Sequence, residues 1–358
     1  MFACAHFSGL PPCTPSHGLS VLSVLLPLPW TALLVCLGVL LDGLVGEPRR
    51  AHPLVGFGRL AARVEQWMNR AGDDAVHAAE AGWLQAGRLV DAWRRCCGVL
   101  AWAVMVLPPT AAAVWLIAHL PFALACAVHV LLLWFALGAR SLHDHLVPIA
   151  QALAEGDLIR ARALTARIVS RDTADADASA LARAAVESAL ENGNDAIFGA
   201  LFWFALAGGP GALAFRLLNT LDAMWGYRTP RLLAFGWAAA RLDDLANWLP
   251  ARLTAASYAL CGDTRRALRC WQTQASAWDS PNAGPVMAAG AGSLGVQLGG
   301  PARYHGRLES RPVLGSGAVP VGADIGRALR LVRQALAVWL ATLVVLGLAA
   351  VLSELQHG

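Results

Sequence analysis

Lysine is absent from this chain: all 28 basic side chains are arginine. That excludes Schiff-base chemistry on a lysine. It also excludes a P-loop, whose phosphate-reaching lysine has no counterpart here. Charge of either sign is scarce, at 15% of the 358 residues against 57% hydrophobic ones, where soluble domains carry about a quarter. A net charge of +4 is small for holding a polyanion, so no nucleic acid is expected as a partner. The eight cysteines (4, 13, 36, 96, 97, 126, 261 and 270) include no C-x-x-C and fit neither a zinc pattern nor a secreted disulfide framework. Alternating apolar–polar runs and a repeat of fixed period are missing as well. With a mean hydropathy of +0.51, the chain reads as an all-α, polytopic integral membrane protein with a substantial polar portion, and the lipid bilayer is its first expected partner.

Residues 1–41 carry no Asp, Glu or Arg, and 19–41 is long enough to span a bilayer. No arginine precedes it, so it lacks the basic start of a secretory signal and is expected to be an uncleaved anchor. Residues 1–18 read as an N-terminal extension. The charge-free block 96–139 would make a helix of roughly 66 Å, about twice a bilayer. It must turn near His119-Leu120-Pro121 into a transmembrane hairpin, with a kink expected at Pro108-Pro109. Residues 334–353 form a C-terminal span. A further apolar run, 196–215, is interrupted by Gly208-Gly209-Pro210-Gly211, which breaks a helix. Arginine counts decide how to read it: eight lie in 42–95, six in 140–195, fourteen in 216–333 and none elsewhere. If 196–215 does not cross, every arginine falls on one side, as the positive-inside rule favours. The segment is therefore expected to be re-entrant or buried in the body. That leaves about four spans in the cytoplasmic (inner) membrane, a cytoplasmic loop 42–95 and a cytoplasmic helical catalytic region 140–333. Within the polar portion, helices are expected over 157–169, 178–192, 231–248, 263–278 and 283–298, with Asp157 and Asp263 as N-caps.

Polar residues cluster against the grain of so apolar a chain in four places. Asp42 to Leu54 places two carboxylates, the arginine pair Arg49-Arg50 and His52 at the membrane boundary, where a simple basic anchor would look similar. Arg171-Asp172-Thr173 precedes Glu187, Glu191 and Asp195, which recur every four residues and stack on one helix face. Like charges at that spacing repel, so removing one should relieve repulsion; a hard cation such as Mg²⁺, or arginines from another element, would do the same. Asn219 and Asp222 are followed by Arg241, Asp243, Asp244, Asn247 and Arg252. Adjacent acids with nearby guanidiniums suit a magnesium-bridged phosphate, while an intrahelical Arg241–Asp244 pair is the plainer account. Ser280-Pro281-Asn282 opens a helix whose N-terminal N–H groups could hold an anion. In the small-residue run that follows, Gly290, Gly292 and Gly295 spell G-x-G-x-x-G without a preceding strand, so close helix packing explains them better. His143, Asp144 and His145 lack a further ligand nearby, and Cys96-Cys97 reads as packing.

These segments together resemble the CbiB/CobD family, the adenosylcobinamide-phosphate synthases of cobalamin biosynthesis. The resemblance is carried by LDGLVGEPRRAHPLVGFGR (41–59), RSLHDH (140–145), IVSRDT (168–173), AAVESALEN with Asp195 (184–195), NTLDAMWGYR (219–228), ARLDDLANWLPARL (240–253), SPNAG (280–284) and LGVQLGG with Tyr304 and Gly306 (294–306), in family order over about 33–353. Ala200 stands where the family usually has proline, and Asn194 where it has a small or apolar residue. The resemblance implies a membrane enzyme that joins adenosylcobyric acid, a corrinoid, to (R)-1-amino-2-propanol or its O-phosphate, consuming ATP with Mg²⁺. It implies other cobalamin-assembly enzymes as partners. On this reading Asp243, Asp244, Glu191 and His52 are the catalytic candidates. Glu187, Glu191, Asp222, Asp243 and Asp244 are the metal candidates. Arg49, Arg171, Arg241, Arg252, Asn219 and Asn282 bind substrate or phosphate, and some of the fourteen tryptophans line a corrin pocket. The rival readings are a non-enzymatic signalling protein of the AmpE type, which needs no paired acids, and a transporter, which would place its polar residues inside the spans.

Overall fold

The computed structural model describes residues 26–47, 53–70, 88–304 and 306–357. Five stretches among them are long and apolar enough to cross a membrane: 28–45, 89–119, 122–154, 178–225 and 322–357. The fold is predominantly helical, and the protein is a multi-pass membrane protein. Helix α1 (Leu28–Val45) starts directly after Pro27 and carries Pro29 in its first turn, where a missing N–H leaves nothing unpaired. The first span is thus shifted toward the C-terminus from the expected 19–41; residues 1–25, including the expected extension 1–18, lie outside the described residues. Helix α2 (Pro53–Met68) is tied down by Glu65, which accepts hydrogen bonds from Asn69 (2.7 Å) and Arg231 (3.1 Å). Helices α3 (Arg88–His119) and α4 (Phe122–Ala136) form the expected hairpin, turning at Leu120-Pro121, and α3 continues through Pro108-Pro109. Asp42 reaches from α1 to the first turn of α5 (Ala139–Ala154), where its Oδ2 accepts from the Arg140 N–H at 2.9 Å.

The short α6 (Leu158–Thr165) and α7 (Ala178–Gly193) follow. A π turn, Asn194–Phe198, leads from α7 into α8 (Gly199–Trp225). Helix α8 is two arms rather than one rod. Ala207 (φ −138°, ψ 20°) and Gly208 (φ 61°, ψ −156°) leave the helical region, and the second conformation is open essentially to glycine alone. The chain reverses there. Gly199 leaves no room for a Cβ against the Phe215 ring, and Gly211 lies against the Trp203 carbonyl. Both ends of the segment sit at one level: Gly138, just past α4, donates its N–H to the Ala196 carbonyl (3.0 Å), and Arg216 lies 3.8 Å from Glu47, just past α1. The tip reaches the middle of α4, where the Gly209 N–H donates to His129 Nδ1 at 2.8 Å. Residues 196–215 therefore fold back on themselves as a helical hairpin, the shape that a re-entrant segment requires.

Helix α9 (Trp237–Cys261) begins six residues later than the expected 231 and runs on through Pro250. Proline has no N–H to offer the Ala246 carbonyl one turn back, and the Trp203 indole N–H fills that place at 3.0 Å. Helices α10 (Thr264–Gln274) and α11 (Ala283–Leu294) pack against α9, with α11 wholly buried. Asp157 and Asp263 cap α6 and α10 as expected, accepting from the N–H groups of Arg160 and Arg266 at 2.9 and 3.0 Å. Gly290 packs on Leu190 and Gly292 on Ala267, so small-residue packing accounts for the G-x-G-x-x-G. The polar portion is not helical throughout. After Gly295, which ends α11 in the left-handed conformation, come β1 (Gln297–Gly299), β2 (Ala302–Tyr304), β3 (Arg307–Glu309) and β4 (Val313–Gly315). β1 pairs with β4 and β2 with β3, both antiparallel. The last helix, α12 (Gly322–His357), packs along α1, α5 and α7 and is longer than the expected span 334–353, its first three turns belonging to the body.

Candidate active site

The last turn of α7, the returning arm of α8, the middle of α9 and the loop ahead of α11 surround a cavity of about 320 Å³. Its walls carry Glu191, Asp195, Asp222, Asp243 and Asp244 together with Asn194, Asn219, Asn247 and Asn282, and Arg228 and Asp279 stand at its rim. Helical spacing explains the convergence: Asp243 and Asn247 are one turn apart on α9, as are Asn219 and Asp222 on α8. Two of the acids, Asp243 and Asp195, are held by amides. Asn247 donates to Asp243 Oδ2 at 3.1 Å and Asn219 to Oδ1 at 3.4 Å. Asn194 donates to Asp195 Oδ1 (2.9 Å) and to Asn247 Oδ1 (2.8 Å), and accepts from Thr254 (3.0 Å). Burial, followed by the charges of Asp195 and Asp222, pushes the Asp243 carboxyl well above the usual range against the opposing pull of the two amides. Asp244 is raised by burial and drawn back by Arg241 and Arg228.

A second cavity of about 450 Å³ shares Glu191 and Asp279 with the first. It differs from the first in holding a pair of arginines on one carboxylate. Arg171 and Arg311 both grip Glu187, Arg311 at 3.0 Å to Oε2 and 3.3 Å to Oε1, and the Gly299 N–H donates to Oε1 at 2.8 Å. Arg311 also lies over the Trp278 ring, 5.3 Å from its centroid. Two guanidiniums meet one carboxylate at Glu187, so one positive charge there exceeds what Glu187 neutralises, while Glu191, Asp279 and Glu309 line the rest of the cavity. Asp172 positions this wall: its N–H donates to the Arg303 carbonyl (2.8 Å), and its Oδ2 accepts from the Gly306 N–H in the β2–β3 turn (2.7 Å).

Of the residues singled out in the sequence, Glu191, Asp222, Asp243, Asp244, Asn219 and Asn282 line the first cavity, and Arg171, Glu187 and Glu191 the second. Glu187, expected as a metal ligand, has its oxygens occupied by the two arginines and the backbone. Arg241 and Arg252 line neither cavity. Arg241 is exposed and 3.9 Å from Asp244, the intrahelical pair. Arg252 lies over Trp248, donates to the Trp248 carbonyl (2.7 Å) and Asn282 Oδ1 (3.1 Å), and so braces the loop ahead of α11. The N–H groups of Asn282 and Ala283 are taken by Ser280 Oγ at 3.3 and 3.2 Å, which fills the expected anion position from within the chain. Arg49 and His52 lie outside the described residues. Trp278 is the one tryptophan lining either cavity among the described residues, where several were expected. Among these residues no three His, Cys, Asp or Glu side chains are already grouped to hold a metal ion.

Arg228, Asp279, Arg311 and Trp278 escaped the sequence reading as site residues. Arg228 ends the NTLDAMWGYR motif and Asp279 immediately precedes Ser280, so adjacency to motifs was the available signal. Arg311 had none, since it reaches Glu187 across 124 positions.

The sequence matches the family described as CobD/Cbib protein over residues 35–332. It is similar to the cobalamin biosynthesis protein CobD of Stutzerimonas stutzeri (57% identical over 305 residues, 85% of this chain and 94% of the relative). The proteins of that name from Chromobacterium violaceum (54% over 311 residues, 87% and 95%) and Mycobacterium tuberculosis strain H37Rv (44% over 304 residues, 84% and 90%) are also similar to it. No solved structure matches it.

Proposed function

The chain belongs to the CobD/CbiB family and has a role in cobalamin biosynthesis, and from that premise we propose that it is a ligase joining adenosylcobyric acid to (R)-1-amino-2-propanol or its O-phosphate. The product is adenosylcobinamide or its phosphate, and the site faces the cytoplasm from the inner membrane. One observation carries the reading: a cavity lined by carboxylates, two of them held by amides, adjoins a second cavity that carries the Arg171–Arg311 pair, and Glu191 lines both. Ligation at a corrin propionate needs both, because a carboxylate is a poor acylating agent. ATP with Mg²⁺ supplies the leaving group, turning the carboxylate into an acyl phosphate from which the amine displaces phosphate with loss of a proton.

The oxygen-only donors and their excess of negative charge suit a hard divalent cation, and Asp222, Asp243 and Asp244, with Asp195 behind them, are the residues that would hold it. Arg171 and Arg311 retain one positive charge beyond what Glu187 neutralises, which attracts phosphate or propionate oxygens. Glu191, in both walls, is placed to take the proton that the amine loses. Asn219 and Asn247 orient Asp243. The test is turnover by the purified full-length protein in lipid with adenosylcobyric acid, aminopropanol phosphate, ATP and Mg²⁺. A corrinoid amide and ADP are expected, and Asp243→Asn should lower the rate by on the order of 100- to 1,000-fold. No amide with either amine, while the corrinoid still binds, would sink the ligase reading. A near-normal rate for Asp243→Asn at limiting Mg²⁺ would remove the acidic cavity from the chemistry.

A further inference from the structure

We propose that α9 is an interfacial membrane helix whose outer face lies in the headgroup–acyl boundary of the leaflet on the arginine-rich side, while its inner face carries Asp243 and Asn247. At 100° per residue, Trp237, Leu245, Trp248, Leu249, Leu253 and Leu260 fall on one side of the helix. All six are exposed, Leu245 by 73% and Leu260 by 70%. Arg241 and Arg252 share that side, and no carboxylate does. An apolar and aromatic face with arginines set among it, their stems on apolar surface and their heads free to reach phosphates, suits a helix lying in a bilayer surface.

Depth is the independent observation. Just before α9, the Phe235 carbonyl packs on Gly98, and Ala239 clusters with Ala101, both partners lying in the charge-free part of α3. At mid-helix the Ala246 carbonyl accepts from Trp203, on the first arm of the 196–215 hairpin. Near the far end, the Trp339 indole donates to Ser257 Oγ at 2.9 Å from within the apolar run of α12. Helix α9 therefore touches chain of the apolar stretches at its start, middle and end. The basic side chains fit the same occupant. Arg252 folds over Trp248 (4.3 Å to the centroid) and Arg95 over Trp237 (5.7 Å), while Arg241 extends into the open, as guanidiniums do when they reach from apolar surface toward lipid phosphates. The site acids on the opposite face are thereby fixed at the level of the membrane surface, whatever reaction they serve.

The experiment uses the unaltered protein in vesicles of phosphatidylcholine and phosphatidylglycerol doped with a phospholipid bearing a diazirine near its headgroup. After photolysis and peptide mapping, adducts are expected on the peptide containing 245–253 and not on the one containing 265–273 of α10. A spin label at Leu249→Cys, with the other accessible cysteines changed to serine, should collide more with oxygen than with a water-soluble nickel chelate, and a label at Gln272→Cys should show the reverse. Labelled α3 and α12 beside an unlabelled 245–253 peptide would overturn the proposal. So would a Leu249→Cys label open to the nickel chelate. A label shielded from both quenchers, with chain-to-chain cross-links through 249, would give the face to a second copy instead.

Discussion

At the cavity beside α7, the Glu187 carboxylate meets two guanidiniums and a backbone N–H; in the neighbouring cavity Asp243 meets only the amides of Asn219 and Asn247. The two carboxylates are similarly buried, at 3% and 8% exposure, and Glu191 stands between them. Burial alone therefore does not decide what an acid does here; the charge brought to it by distant chain does. Glu187 is a structural anion that holds the β-hairpin segment against α7. Asp243 has no cation to answer a charge, so burial disfavours its ionised form and leaves the carboxyl open to a cation.

The largest effect is expected where the compensated acid is removed. Glu187→Gln leaves Arg171 and Arg311 facing each other without a buried anion, and should cost about 3–5 kcal/mol, measured by chemical or thermal unfolding in detergent. This reverses the expectation from the acidic stack alone, in which loss of one charge relieves repulsion. A cost below about 1 kcal/mol would mean that the two cavities do not differ as described.

The uncompensated acid should behave in the opposite sense. A carboxyl whose folded-state value is raised favours its neutral form in the folded protein. Its contribution is fully present below the unfolded carboxylate range and is lost as pH rises through the folded value. Each unit of displacement corresponds to about 1.4 kcal/mol. Melting curves from acid to mildly alkaline pH should therefore move in favour of Asp243→Asn as pH rises, and added Mg²⁺ should stabilise the parent protein more than the variant. Parallel curves would place Asp243 among ordinary, already compensated carboxylates.

The smallest effect is expected at the exposed pair. Asp244→Asn and Arg241→Lys should each change stability by less than about 1 kcal/mol, because the two groups are 3.9 Å apart with Arg241 in the open. Turnover, however, should fall for Asp244→Asn and hold for Arg241→Lys, since only Asp244 lines the cavity. Equal losses in both would restore Arg241 to the site.

What the sequence made legible follows from the range of the interactions involved. Gly208-Gly209-Pro210-Gly211 announced the break in α8. Asp157 and Asp263 declared their helix starts because a cap acts within three residues. The four strands were illegible, since three residues each give no alternation to detect, and their register is set by partners up to 18 positions away, as for Gln297 and Gly315. The fates of the stacked acids were illegible for the same reason: nothing near Glu187 in sequence indicates that Arg311 will reach it. Asn194, a departure from the family pattern, looked incidental and is the hub joining Asp195, Asn247 and Thr254.

The contact between the Gly209 N–H and His129 Nδ1 bears on the order of assembly. A backbone N–H at that depth cannot be left without an acceptor in hydrocarbon, so the hairpin tip can seat only once α4 is in place, with His129 carrying no proton on Nδ1. The returning arm that follows the tip brings Asn219 and Asp222. The acidic cavity is thus completed when the tip docks, and a chain arrested before that step, though already inserted and largely helical, would hold the other acids without the wall that closes around them.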